Sequence, residues 1–175
     1  MKKILLSALL FICAAFCLNA QNAAEEDLDL KYAADLLVPG TAAPDFELSD
    51  INGSPIRISD FRGRKVVLVF WASWCPDCRA EVPLLKELQA SVNASEVAFV
   101  SISFDRTFEA FKEYVVNNGL GGTQLFDPAG KKDSAVCAAY HVKWIPSLYV
   151  IDADGKVLLG TVVAEKLRPI LTSKD

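Results

Sequence analysis

The sequence predicts an α/β domain in which a mixed β-sheet carries helices on both faces. The run Val66–Trp71 is β-branched and aromatic without polar alternation, as expected for a strand that is buried on both faces, and Val97–Phe104 is a second run of this kind. Residues with helical spacing follow each run, so the order predicts parallel strands joined by crossover helices. A hairpin pattern before this unit and another after it add antiparallel strands.

The elements follow one another without an internal repeat. The first hairpin turns at Asn52–Pro55, between apolar positions that begin at Phe46 and end at Ile58, and Ser59–Gly63 forms a single capped turn. The remaining elements are a helix from about Cys75 to Ala90, a helix marked by Phe108, Phe111 and Tyr114, a short strand at Leu125–Phe126, a short helix at Lys132–Tyr140, a hairpin that pairs Leu148–Ile151 with Val157–Thr161, and a final helix at Ala164–Leu171.

The chain length and charge exclude several classes of protein. The 175 residues fit one domain with an appended segment better than two domains. The sequence contains 18 Lys and Arg residues and 22 Asp and Glu residues, which gives a net charge of −4. This negative net charge argues against a broad nucleic-acid-binding surface. One histidine and five cysteines leave little material for a His-rich metal site.

The first twenty residues have the pattern of a secretory signal peptide. Met1–Lys3 is basic, and the apolar run Ile4–Leu18 is shorter than the ~20 residues that a membrane-spanning helix needs. We expect cleavage after Ala20 and therefore an exported, periplasmic protein. One alternative is an uncleaved anchor that tethers the protein to the membrane. Another is a lipoprotein cut before Cys13 or Cys17, which the bulky residues before both cysteines disfavour.

Residues 21–38 are predicted to be an acidic linker that leads into a domain at residues 39–175. The linker contains the acidic run Glu25–Asp27 and continues with Tyr32 and Leu36 at helical spacing. Such a segment is either a loose tether or a short docked helix, and we expect a solvated spacer.

The clearest chemistry lies in Trp74–Cys78, where a buried strand ends and a helix begins. Two cysteines three positions apart can close a small disulfide ring, and the helix N-terminus favours a thiolate at the first one. Thiol–disulfide exchange needs an exposed, activated cysteine that attacks and a shielded partner that resolves the mixed disulfide. Cys75 fits the first role and Cys78 the second. A half zinc site and a structural disulfide are the alternatives, but a second metal-binding pair is missing and so short a loop constrains the unfolded chain little.

The segment Phe70–Pro83 resembles the active site of exported thioredoxin-fold proteins, and it is most similar to the TlpA, ResA and CcmG thiol–disulfide oxidoreductases. The likeness extends to Gly40–Phe46, Tyr140–Ser147 and Ile151–Lys156, and so covers nearly all of residues 40–171. It implies a thioredoxin-like three-layer fold, with a central mixed sheet flanked by helices and an N-terminal β-hairpin extension.

The resemblance implies roles for residues outside the cysteine pair. Pro146 matches the cis-proline whose loop holds the substrate chain, with Ile145 directly before it. Trp144 and Trp74 are further candidate substrate contacts, although Trp144 has the alternative role of a packed aromatic residue. Glu81 matches an acidic residue that assists proton transfer, and the alternative is a solvated helix glutamate.

Other positions bear on the redox poise of the cysteine pair. Pro76 and Asp77 lie between the cysteines, and the Asp77 carboxylate should oppose a thiolate at Cys75 by like-charge repulsion. A less stabilised thiolate favours a reductase over an oxidase. Val69 stands where ordinary thioredoxins carry a buried aspartate, which makes Glu81 the better candidate for an internal base.

Together these features predict a thiol–disulfide oxidoreductase outside the cytoplasm that reduces protein disulfides. Its only redox group would be the Cys75–Cys78 disulfide, with no other cofactor and no metal. We expect disulfide-bearing protein substrates, a membrane electron donor of the thiol–disulfide type, no nucleic-acid partner and a monomer. Cytochrome c maturation is one task of the family branch that the chain resembles.

Two alternative functions have different chemistry. A thiol peroxidase usually carries Thr or Ser where Ala72 stands. A copper chaperone of this fold has one more residue between its cysteines and uses a later histidine, for which His141 is available. Cys137 lies in the apolar segment Ala135–Tyr140 and is expected to be a buried, non-catalytic thiol.

Overall fold

The computed structural model describes residues 28–172, which form one seven-stranded sheet in the order β2-β1-β5-β4-β3-β6-β7. The predicted signal peptide at residues 1–20 and the first part of the predicted linker lie outside the described residues. The strands are β1 (Glu47–Asp50), β2 (Pro55–Arg57), β3 (Lys65–Trp71), β4 (Val97–Ser103), β5 (Thr123–Phe126), β6 (Ser147–Ile151) and β7 (Val157–Thr161).

Helices of very different length connect the strands. They are α1 (residues 28–32), α2 (Pro76–Ser91), α3 (Phe108–Asn118), α4 (Gly130–Asp133), α5 (Ala135–Ala139) and α6 (Arg168–Thr172), together with 3₁₀ turns at Ile58–Phe61 and Ala164–Leu167. None of the helices within residues 28–172 combines the length and the apolar character that crossing a membrane would require.

Alternate residues of β3 pack against opposite helical layers, because successive side chains of a strand point to opposite faces. The Trp71 ring lies 6.5 Å from that of Phe111 and 5.3 Å from that of Tyr114, both on α3. The Phe70 ring lies 5.4 Å from that of Tyr140, which ends α5. The β3 strand is therefore covered on both sides, as its continuous apolar sequence predicts.

The predicted fold class is confirmed. The β3 strand pairs in parallel with β4 and antiparallel with β6, so the sheet is mixed. The first hairpin is part of this sheet, since β1 pairs with β2 on one side and with β5 on the other. The hairpin therefore adds two strands to one edge of the sheet.

Two predicted helices are interrupted. Residues 132–140 belong to α4 and α5, which are separated at Ser134, whose hydroxyl caps α5 by accepting from the amide of Cys137 at 2.9 Å. The last helix is a 3₁₀ turn followed by α6. Pro169 is the second residue of α6, where a missing amide hydrogen costs nothing.

Residues 28–38 of the predicted linker are docked on the domain, so the expected solvated spacer does not describe this part of the chain. Asp29 accepts hydrogen bonds from the Thr161 hydroxyl, the Val162 amide and the Lys166 ammonium group, all between 2.8 and 2.9 Å. Leu36 is buried in the core. The docked alternative is the one observed, because an apolar anchor and a paired carboxylate hold the segment.

Candidate active site

Cys75 and Cys78 form a disulfide at the N-terminus of α2. Cys75 is the N-cap residue of the helix, and its sulfur accepts a hydrogen bond from the amide of Cys78 at 3.1 Å. Pro76 occupies the first helical position, where no amide hydrogen is needed. Because the amide and the positive end of the helix dipole both face this sulfur, the site favours negative charge on Cys75.

The two cysteines differ little in exposure. Cys75 is 5% exposed and Cys78 is 3% exposed, so the expectation of one exposed and one shielded cysteine does not hold for the disulfide form. What separates the two sulfurs is their position at the helix end. The sulfur of Cys75 caps the helix, whereas Cys78 lies within its first turn.

The loop before β6 contacts the cysteine pair directly. The Ile145–Pro146 peptide bond is cis, as the family resemblance implied, and the carbonyl oxygen of Ile145 lies 3.6 Å from the sulfur of Cys75. The Ser147 hydroxyl donates to the carbonyl of Trp144 at 2.8 Å and closes this loop. The structure therefore brings the predicted Ile145–Pro146 pair to the predicted attacking sulfur.

Two tryptophans are exposed in the segments that carry the cysteine pair and the cis-proline. Trp74 precedes Cys75, and its indole N–H donates to the carbonyl of Phe104 at 3.3 Å. Trp144 is 40% exposed and stacks on Tyr32 with ring centroids 4.4 Å apart. Trp144 thus combines the two roles weighed from the sequence, because it is partly packed and partly open to solvent.

The charged candidates lie on α2. Asp77 is exposed in the first turn of the helix. Glu81 is half-buried and lies three residues after Cys78, which places it on the same side of the helix one turn further along. Val69, at the position of the aspartate of ordinary thioredoxins, is a buried residue of β3.

A buried carboxylate that the sequence analysis missed supports the loop before Cys75. Asp105 is 2% exposed and accepts hydrogen bonds from the Ser73 amide at 3.0 Å, the Ser73 hydroxyl at 2.7 Å and the Ser103 hydroxyl at 2.7 Å. The available signal was its position directly after a buried strand parallel to β3. Parallel strands bring their carboxyl ends to the same sheet edge, and there Asp105 meets the start of the cysteine segment.

The third cysteine and the histidine lie elsewhere. Cys137 is a free, buried thiol on α5, and burial raises its pKa from 9.0 to about 11. His141 Nδ1 lies 3.1 Å from the carbonyl of Asp35 in the docked N-terminal segment. Within residues 28–172, no three His, Cys, Asp or Glu side chains are grouped closely enough to hold a metal ion.

Comparison with known proteins identifies the family. The model of the AhpC/TSA family matches residues 39–159. The thiol-disulfide oxidoreductase ResA of Bacillus thuringiensis (strain Al Hakam) is 33% identical over 135 residues, which cover 75% of this chain and 76% of that protein. This chain therefore belongs to the AhpC/TSA family, among its ResA-like thiol–disulfide oxidoreductases.

Solved structures agree with this assignment. A protein from Chlorobium tepidum, described as a putative thiol:disulfide interchange protein DsbE, superposes with a TM-score of 0.69 at 33% identity and covers 76% of this chain and 94% of its own. The thioredoxin domain of a thiol-disulfide oxidoreductase from Bacteroides vulgatus has a TM-score of 0.69 at 23% identity, and covers 78% of this chain and 99% of its own. The oxidoreductase therefore has the thioredoxin-like fold that its sequence predicts.

Proposed function

We propose that this oxidoreductase reduces protein disulfides outside the cytoplasm, with Cys75 as the attacking thiol and Cys78 as the resolving thiol. The observation that carries the proposal is the position of the Cys75 sulfur. It caps α2, accepts from the Cys78 amide and lies 3.6 Å from the Ile145 carbonyl beside the cis-proline. The helix stabilises a thiolate at that point. The thiolate also lies next to the backbone that leads into β6, and an extended peptide can pair with this backbone.

The cycle balances as a two-electron exchange. The Cys75 thiolate attacks one sulfur of the substrate disulfide, and the other substrate sulfur leaves as a thiolate that takes up a proton. Cys78 then loses its proton and attacks Cys75, which releases the second substrate thiol and leaves the Cys75–Cys78 disulfide. A dithiol donor returns the pair to its reduced form by the same exchange in reverse, and we assign that donor to a membrane protein of the thiol–disulfide type.

The surroundings of the pair suit a peptide substrate. Trp74 and Trp144 expose aromatic surface in the two segments that meet at Cys75, so a chain docked on Ile145 and Pro146 can contact both rings. Glu81, half-buried one turn after Cys78, is assigned to assisting proton transfer between the cysteine pair and solvent.

The location rests on the N-terminal sequence. The basic start and the short apolar run that ends at Leu18 favour export to the periplasm, with a membrane tether as the alternative form. Disulfide chemistry is compatible with such an oxidising compartment. We expect a monomer, and reduction of cytochrome c apoprotein disulfides is one candidate task.

Trapping of mixed disulfides tests the proposal. Cys75→Ser should abolish insulin disulfide reduction, whereas Cys78→Ser should accumulate a mixed disulfide with substrate through Cys75. Cys78→Ala expressed in cells should capture the physiological partners. Preferential capture through Cys78, or turnover by Cys75→Ser, would reverse the assignment.

The alternative chemistries have their own readouts in the same preparation. Hydrogen peroxide consumption that depends on Cys75 and exceeds insulin reduction would indicate a thiol peroxidase, although Ala72 offers no side-chain hydroxyl. Stoichiometric copper retained after purification would indicate a chaperone.

A further inference from the structure

A small cavity lies directly behind the disulfide, between α2 and the sheet. Its volume is about 40 Å³, and its walls include Trp71, Cys78, Val82, Leu85, Gln124 and Pro146. A buried water needs roughly 10–15 Å³ of such volume, so the space is large enough to hold water. Lys86 and Gly121, which are exposed, line its outer end, so that the cavity connects Cys78 with the surface.

Two buried polar atoms, both on side chains that line the cavity, lack a partner within the part of the chain that the structure describes. They are the indole nitrogen of Trp71, a residue 5% exposed, and the side-chain oxygen of Gln124, a residue 6% exposed. One is a donor and the other is an acceptor. Buried polar atoms of this kind are nearly always satisfied, and ordered water is the usual partner when no protein group is available.

The orientation of the Gln124 amide follows from its other end. Its nitrogen donates to the carbonyl of Gly121 at 2.6 Å, and a flipped amide would set oxygen against oxygen there. The side-chain oxygen must therefore be the free end. The alternation of the strands places Gln124 on the cavity side of the sheet, because it pairs with Ser101, and Ser101 pairs with Val69.

The paired residues Val69, Ser101 and Gln124 form a row across three strands, and the residue of this row on β3, Val69, is apolar. Val69 offers no group that can accept a proton from Cys78, whereas Gln124 lies two strands away in the same row. We propose that Trp71 and Gln124 hold a water molecule beside Cys78, and that this water takes the Cys78 proton when the mixed disulfide is resolved. The inference rests on the proposed function, since the resolution step of thiol–disulfide exchange requires Cys78 to lose a proton.

The Cys78 S–H proton passes to the cavity water, which releases a proton outward to solvent, and the Cys78 sulfur attacks the sulfur of Cys75. The bond between Cys75 and the substrate sulfur breaks with its electron pair on the substrate sulfur, which takes a proton from solvent. Trp71 and Gln124 are positioning residues in this step, because they act through the water and take no part in the bonds that form and break between the sulfur atoms.

A two-step reagent separates attack from resolution. The reduced protein is mixed with 5,5′-dithiobis(2-nitrobenzoate), so that attack by Cys75 releases one thionitrobenzoate and resolution by Cys78 releases the second. Gln124→Met keeps the approximate size and removes the acceptor, and Trp71→Phe keeps an aromatic side chain and removes the donor. Each should slow the second release at neutral pH by at least about tenfold and leave the first release unchanged, since positioned proton transfer contributes about 10²–10⁴-fold.

The pH profile distinguishes proton transfer from a packing effect. In both variants the second release should rise about tenfold per pH unit, because hydroxide must replace the relay, and it should approach the parent rate at high pH. The matched control is Gln89→Met, which makes the same chemical change on α2 at the half-exposed outer end of the cavity, where solvent substitutes for the lost group. It should leave both releases unchanged.

Crystallography of the oxidised parent protein provides a test that does not depend on activity. We expect water density within about 3.2 Å of both Trp71 Nε1 and Gln124 Oε1, and loss of that density in Gln124→Met. A dry cavity in the parent, an unchanged second release across pH, or equal slowing of both releases would overturn the inference. If the parent gives both releases but no turnover of protein disulfides, the proposed function fails while the inference stands.

Discussion

The carboxylate of Asp105 accepts both the amide and the hydroxyl hydrogens of Ser73, two residues before Cys75. Its second oxygen accepts from the hydroxyl of Ser103 at the end of β4. This buried carboxylate therefore joins the ends of two parallel strands and fixes the loop from which α2 begins. The position of the Cys75 sulfur depends on that loop, so Asp105 acts on the site without touching it.

Removing the Asp105 carboxylate should destabilise the fold and the site together. Asp105→Ala leaves the part-buried amide and hydroxyl of Ser73 and the buried hydroxyl of Ser103 without their acceptor, and we expect the free energy of unfolding to fall by about 3 kcal/mol. The rate at which Cys75 attacks a model disulfide should fall with it. Urea unfolding and stopped-flow thiol exchange measure the two effects.

A conservative change at the same position provides the contrast. Asp105→Asn keeps one oxygen for Ser73, and its amide can donate to the Ser103 hydroxyl, so it should retain most of the stability. The exposed Asp133→Ala should change the free energy of unfolding by less than about 0.5 kcal/mol. If Asp105→Ala were as stable as the Asp133 control, the hydrogen bonds would not have the assigned role.

Strand positions and the cysteine pair could be predicted from the sequence because both are local signals. The apolar run of β3 and the Cys-x-x-Cys spacing are visible within a few residues, and the structure has them where expected. The Asp105 contacts join residues 32 positions apart, and their geometry depends on the sheet register. Periodicity contains no information on such pairs.

The sequence left the docking of residues 28–38 undecided for the same reason. The contacts of this segment reach residues more than a hundred positions away, as in the hydrogen bonds from Thr161 to Asp29. The acidic composition of the segment suggested solvation, yet the Asp29 carboxylate is paired with Thr161 and Lys166 near the other end of the chain. Composition reports average polarity, whereas docking is decided by a few placed groups such as the side chains of Asp29 and Leu36.

Stacking between Tyr32 and Trp144 should couple the docked segment to the cis-proline loop. The rings are 4.4 Å apart at an interplanar angle of 24°, and aromatic pairs of this kind contribute about 0.5–1.5 kcal/mol beyond their buried area. A double-mutant cycle of Tyr32→Ala and Trp144→Ala, followed by the free energy of unfolding in urea, should give a coupling energy in that range. The control cycle of Tyr32→Ala with Trp74→Ala should couple by less than about 0.5 kcal/mol. Equal coupling in the two cycles would mean that the stack is not a specific contact.

Cys137 should make stability depend on alkaline pH without affecting turnover. Burial raises the pKa of its thiol from 9.0 to about 11, so the folded protein holds the proton over a range in which the unfolded chain releases it. The stabilisation is complete below pH 9 and is lost as the pH rises from 9 through 11. Cys137→Ala should therefore unfold with a free energy that approaches that of its parent over this interval.

The measurement needs a background that cannot exchange disulfides. Urea unfolding at pH 8, 9, 10 and 11 is compared with and without Cys137→Ala in a Cys75→Ala/Cys78→Ala background. Burial also raises the pKa of Tyr140 and Tyr149, but both tyrosines are present in the two proteins and cancel in the difference. Turnover of Cys137→Ala with the active pair intact should stay within a few-fold of the parent. A loss comparable with that of Cys75→Ser would instead indicate a relay of three cysteines.

Asp77 should keep the cysteine pair reducing. Its exposed carboxylate lies in the first turn of α2, two residues after Cys75, where negative charge opposes the thiolate that the helix end favours. Asp77→Asn keeps the size and removes the charge, so the pKa of Cys75 should fall and the potential should become more oxidising. One pKa unit corresponds to about 30 mV for this two-electron couple, and an exposed, screened charge should give only part of it. Glutathione equilibration and thiolate absorbance against pH measure the two quantities, with the exposed Asp133→Asn, which lies outside α2, as the control. An unchanged potential, or a more reducing one, would mean that the Cys78 amide and the helix end set the poise without Asp77.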